Sequence, residues 1–67
     1  MRLFRFITED DTAAFCHRVS EALAKGWKLQ GNPTYAYDAG RGIMRCGQAV
    51  VKETPGTYTP DMKLGEA

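Results

Sequence analysis

Residues 22–29, Ala22-Leu23-Ala24-Lys25-Gly26-Trp27-Lys28-Leu29, decide the fold. A stretch with helical apolar spacing stops at Gly26, and an alternating stretch led by the only tryptophan starts at once. Glycine enters the left-handed backbone region at no steric cost, so it closes helices at the position just past the C-cap. A large apolar residue directly after it folds back on the last turn. The join therefore predicts a helix that runs straight into a strand.

Working upstream, Phe15, Cys16, Val19, Ala22 and Leu23 fall on one helical stripe, with Arg18, Glu21 and Lys25 off it. The spacing predicts a helix from about Glu9 to Lys25. Thr8 is placed to cap it, Asp11 to reach back in a capping box, and Glu9, Asp10 and Asp11 to meet the positive end of the helix dipole. Before it, Arg2 to Thr8 alternates as a strand does, with Phe4 and Phe6 on one face and Leu3, Arg5 and Ile7 on the other.

Downstream, residues 27–37 form a second extended region. Gly31-Asn32-Pro33 interrupts it, and because proline gives no donor to a ladder this predicts an edge strand with a bulge or a break. Asp38-Ala39-Gly40-Arg41-Gly42 reads as a hairpin turn. Ile43 to Lys52 is the longest strand, with Ile43, Arg45, Gly47, Ala49 and Val51 on one face and Met44, Cys46, Gln48 and Val50 on the other.

Strand, helix, strand, strand predicts a two-layer α+β sandwich: a three-stranded antiparallel sheet in the order 1-3-2 with the helix on one face. Residues 1–53 make this single β-α-β-β domain. Residues 54–67 read as a tail in which Tyr58, Met62 and Leu64 recur within polar, proline-broken sequence. A purely solvating tail needs no such residues. Tyr58 to Leu64 is therefore expected to lie as an extended strap on the open sheet face or on a neighbouring subunit.

Length and composition bound the function. A chain of 67 residues is at most one domain. Such a chain buries only about 60% of its unfolded surface, and its core supplies roughly 3–5 kcal/mol. Two cysteines are too few for the disulfide framework of a secreted mini-domain, and no apolar run is long enough to span a membrane. The start, Met1-Arg2-Leu3-Phe4-Arg5-Phe6-Ile7, sets arginines among apolar residues, unlike a secretory leader. A cytoplasmic location is expected. Nine basic against eight acidic side chains give a net charge of +1, which argues against a nonspecific nucleic-acid binder.

Several stretches together resemble a known family: Arg5-Phe6-Ile7-Thr8, Ala14-Phe15-Cys16-His17-Arg18-Val19, Lys25-Gly26-Trp27, Cys46-Gly47-Gln48-Ala49-Val50, and Tyr58 to Gly65. The set is similar to the bacterial domain of unknown function 1737 and covers nearly the whole chain. The resemblance implies a small bacterial protein without an assigned activity, and it supplies no catalytic residues.

No residue pattern points to catalysis, a metal or a cofactor. Adjacent helical residues point about 100° apart, so Cys16 and His17 do not chelate one ion, and Cys16 on the apolar stripe reads as a buried structural thiol. Cys46 reads as a packing thiol, because alternation sends Arg45 to the other face. Gly40-Arg41-Gly42 lacks the helix and lysine of a phosphate loop. Trp27 reads as a core anchor whose N–H finds a partner at the strand edge. A chain this short leaves little volume for a pocket of ~300 Å³ or more. An enzyme ranks last.

Two binding readings stand ahead of it. If Gly47 and Ala49 admit the helix, then Leu3, Ile7, Met44, Cys46 and Val50 form an uncovered apolar face. A small module that self-associates there, as a homodimer or with a protein partner, is the leading expectation. The alternative places single-stranded nucleic acid on Tyr35, Tyr37, Arg41 and Arg45 of the hairpin.

Overall fold

A computed structural model describes residues 1–67. Strand β1 spans Arg2–Asp10, helix α1 Ala13–Ala24, β2 Lys28–Asp38 and β3 Ile43–Glu53, followed by a short 3-10 turn at Leu64–Glu66. The sheet order is β1-β3-β2, and both outer strands run antiparallel to β3. The expected α+β fold and strand order are those observed.

The helix ends as its sequence predicts. Gly26 sits at φ 95°. Its N–H donates to the Leu23 carbonyl at 3.1 Å, and the Trp27 N–H donates to Ala22 at 3.0 Å, which together close a Schellman motif. Ala22 and Trp27, the two ends of that longer bond, both join the core.

The helix start differs from expectation. Strand β1 continues through Glu9 and Asp10, which pair with Cys46 and Arg45 on β3. Thr12 rather than Thr8 is the N-cap, its Oγ1 accepting from the Ala14 N–H at 3.2 Å. The acids are drawn into the sheet because Asp10 meets two arginines there, and no acid is left in the first helical turn.

Helix α1 packs on the face made by Leu3 and Ile7 of β1 and Val50 of β3. These three close a core with Ala22 and Trp27. This corrects the expected assignment: Leu3, Ile7 and Val50 lie beneath the helix, not on an uncovered face. Gly47 serves a different purpose from admitting the helix. It lies on the other face, where an added Cβ would come within 2.5 Å of both the Phe6 ring and Thr34 Oγ1. The missing side chain is the seat for Phe6.

The tail does form a strap, but on the helix side. Met62, Leu64 and Ala67 pack against the Leu3–Trp27–Val50 core, and Lys25 Nζ donates to the Gly65 carbonyl at 3.1 Å. Tyr58 stays exposed. The expected placement on the open sheet face does not hold, so the strap does not compete for that surface.

Strand β2 is an edge strand with a bulge, as its proline implies. Gly31, Asn32 and Pro33 together oppose Gln48 alone, between the pairs Gln30–Ala49 and Thr34–Gly47. The buried Gln48 amide organises the irregularity by donating to the carbonyls of Gln30 at 3.4 Å and Gly31 at 3.3 Å. It also donates to Ala49 at 2.9 Å.

Candidate functional site

The two faces of the sheet are built differently because a single helix covers one of them. On the uncovered face the register sets Phe4 beside Val51 and Phe6 beside Ala49, with Lys28 and Gln30 next to them on β2. Phe4 is 57% and Phe6 51% exposed, although phenylalanine is among the residues most often buried. Polar groups bound this patch. Arg2, Lys28 and Glu53 lie at one end, and Thr8, Asp10 and Arg45 at the other.

Helix α1 leaves part of its own face bare too. A 12-residue helix reaches about 18 Å, whereas an 11-residue strand reaches about 36 Å. The hairpin therefore projects past the helix and leaves Tyr35 and Tyr37 exposed, while Leu29 is exposed at the other end of the edge strand β2. Met44 and Cys46 of the expected interaction set are half-buried on this side.

The four residues of the expected nucleic-acid surface do not come together. Tyr35 and Tyr37 pair with Cys46 and Met44 and share the helix side, while Arg45 projects from the opposite face. Both arginines are also committed to Asp10. Arg41 grips both carboxylate oxygens at 3.1 Å, and Arg45 binds Oδ1. The hydrogen bond from Arg45 holds the Asp10 carboxyl below its ordinary range; burial opposes it, and the hydrogen bond from Arg41 and the charges of both arginines add to the lowering. The turn itself is set by Asp38, whose Oδ1 accepts from the N–H of Gly40 at 3.1 Å and of Arg41 at 3.3 Å.

Asp11 joins the two residues nearest the helix start. The Tyr35 hydroxyl donates to Asp11 Oδ2 at 2.5 Å, and the Cys46 thiol approaches Oδ1 at 3.8 Å. The bond to Asp11 raises the Tyr35 pKa, and burial followed by the Asp11 charge raises that of Cys46. Neither group is turned into a base or a nucleophile by these surroundings, since both shifts favour the protonated form. Cys16 is exposed rather than buried, because the helix turns only the narrower Phe15, Val19 and Ala22 stripe inward. No group of three or more His, Cys, Asp or Glu side chains is gathered to hold a metal ion.

Trp27 is a core anchor at 2% exposure, but its indole N–H is buried without a partner, contrary to the expected edge contact. Arg5 and Lys52 cover its ring, with Arg5 Cζ at 5.4 Å and Lys52 Nζ at 5.9 Å from the centroid. Beside Lys52 lies an open cleft of about 440 Å³, lined by Arg2, Gly26, Lys28, Val51, Lys52 and Glu53. Its size exceeds what the chain length led one to expect. Sequence reading missed it because its walls come from all three strands and from the join at Gly26, which meet only in the folded sheet.

The class defined by this geometry is a small, open-faced α+β domain with one half-covered sheet. The chain belongs to the domain of unknown function family DUF1737, whose model matches residues 1–53, the three strands and the helix. No curated protein and no solved structure matches it. No helix is long and apolar enough to cross a membrane.

Proposed function

We propose that this protein is a small non-catalytic interaction module that self-associates through the uncovered sheet face, in the cytoplasm, where Cys16 and Cys46 stay as free thiols. The observation behind this reading is the pair Phe4 and Phe6, half-exposed side by side over Ala49 and Val51 while the aliphatic side chains of the same strand are buried. Only seven of 67 residues are buried, so the internal core is thin and further apolar burial adds a large share of stability. A second copy is the favoured occupant, since closed two-fold dimers are the commonest assembly and one apolar patch serves both partners.

The size of the face sets the strength. Nine residues by three strands measure roughly 30 by 15 Å, or about 450 Å² on each partner, the low end for specific interfaces. The expected species is a dimer in exchange with monomer, not an obligate one. Sedimentation velocity over a concentration series tests this. The wild type is expected to shift toward dimer as concentration rises, Phe4→Lys to remain monomeric while folded, and Tyr37→Ser on the other face to behave as wild type. A wild type that stays monomeric at millimolar concentration overturns the reading.

The hairpin as a single-strand binder has no observation in its favour, because its arginines are paired with Asp10 and its tyrosines face away from Arg45.

A further inference from the structure

The strap fills only one flank of helix α1. On that flank Arg18 and Lys25 gather around a small hollow with Arg5 of β1 and Gly65 of the tail, and Arg18 reaches the Thr8 carbonyl at 3.0 Å. At about 100° per residue, Cys16 and Leu23 fall on the opposite flank, toward β2, and both are exposed there. Below them β2 presents Leu29, Tyr35 and Tyr37, exposed side chains whose partners Val50, Cys46 and Met44 lie on the helix side. Burial first, then Asp11, and also the Cys16 thiol raise the Cys46 pKa, which sets Cys16 near the same strand. The result is an apolar groove between α1 and the edge strand, with Cys46 in its floor.

The backbone of β2 is open along this groove. The Asp11 N–H donates to the Met44 carbonyl at 3.0 Å, so Met44 turns its peptide groups toward β1. Hydrogen-bonding direction alternates along a strand. Tyr37, opposite Met44, and Tyr35, two residues before it, therefore point their N–H and C=O outward from the sheet. The irregularity at Pro33 bounds this free edge on one side and the turn at Asp38 on the other, leaving residues 34–38. One carboxylate stands beside it. Asp11 accepts from the Tyr35 hydroxyl and the Cys46 thiol, and no cation pairs with it.

We propose that this groove takes an extended segment of a partner protein, added as an antiparallel fourth strand beside residues 34–38, apolar at alternate positions and with a basic residue set against Asp11. Outward N–H and C=O groups are satisfied by an extended chain, and its side chains of one parity then fall on Tyr35, Tyr37 and the α1 flank. The strap shows what this layer accepts, since Met62 and Leu64 reach the core from alternate positions of the tail. Charge selects the occupant. A second copy pairing β2 with β2 would bring its own unpaired Asp11 close to the first, and like charges repel. A basic segment removes that repulsion and supplies the cation that Asp11 lacks.

The test titrates the full chain with the capped peptide Val-Thr-Val-Thr-Lys and follows amide nitrogen–proton spectra and amide exchange. Saturable shifts are expected at Leu23, Tyr35 and Tyr37, with slower exchange of the two tyrosine amides. A peptide ending in glutamate instead of lysine is expected to bind about fivefold more weakly. Asp11→Asn keeps an acceptor for the Tyr35 hydroxyl and is expected to erase that preference. A peptide with proline at its centre lacks the donor and is expected not to bind. Absence of saturable shifts at millimolar peptide overturns the proposal. So do shifts centred on Phe4 and Phe6, or equal binding of the lysine and glutamate peptides to the wild type. The same titration of Phe4→Lys is expected to give the same result, so the outcome is separate from whether the sheet face dimerises.

Discussion

Both faces of the sheet carry apolar side chains, and the two sets have opposite fates. On the helix side, Leu3, Ile7 and Val50 are sealed under α1 with Ala22 and Trp27. On the other side, Phe4, Phe6, Ala49 and Val51 have no second layer over them and border only one another, Gly47 and the β2 residues Lys28, Gln30 and Thr34. The contrast teaches that apolar alternation marks a strand without saying which face the rest of the chain covers. Under the helix the strands present the branched aliphatic side chains Leu3, Ile7 and Val50, while on the open face the Phe6 ring reaches over the bare Gly47.

The sharpest way to break the comparison is to exchange a charge into neighbouring positions of β3. Val50 is 0% exposed and Val51 projects from the opposite face. Val50→Lys buries an unpaired ammonium and is expected to unfold the domain, since the cost matches or exceeds the ~3–10 kcal/mol available to a chain of this length. Val51→Lys is expected to leave a folded monomer. Circular dichroism melts of both variants check this.

A smaller effect is expected from the strap. Ending the chain after Glu53 removes Met62 and Leu64 from the core edge, and should cost about 1–3 kcal/mol in urea unfolding, allowing for their partial burial. Unchanged stability would mean the strap only rests on the surface. Gln48→Ala strips the bulge carbonyls of their buried donor and should cost a similar ~1–3 kcal/mol, with faster amide exchange along β2.

Gly47→Ala sharpens the comparison on the open side. Its Cβ would come within 2.5 Å of both the Phe6 ring and Thr34 Oγ1, so both side chains must shift, and about 1–3 kcal/mol is expected together with displaced Phe6 ring resonances. The smallest effect concerns pH. The Asp10 carboxyl is depressed in the folded state by Arg45 and Arg41, so its contribution is present above the ordinary carboxylate range and lost as pH falls through its folded value. Asp10→Asn should flatten that acid limb of the stability curve without altering the neutral plateau's shape.

The helix end, the strand order and the bulge were legible because each rests on a local signal: Gly26 before Trp27, two alternating stretches joined by a turn, and Pro33 within a strand. The start of α1 was misread because acids at a strand end look like capping acids until the register brings Arg41 and Arg45 to Asp10. The covered face was misread because Gly47 invites a close approach from either side, and only the position of Phe6 tells which. Pairing of charges is a property of register, and composition reports only their sum.

The most direct test of the account is a dilution series of amide nitrogen–proton spectra from millimolar to low micromolar protein. The expected result is concentration-dependent shifts at Phe4, Phe6, Gly47, Ala49 and Val51, with Leu3, Ile7, Ala22 and Trp27 unmoved. Spectra that do not change with concentration, or changes confined to Leu29, Tyr35 and Tyr37, would contradict it.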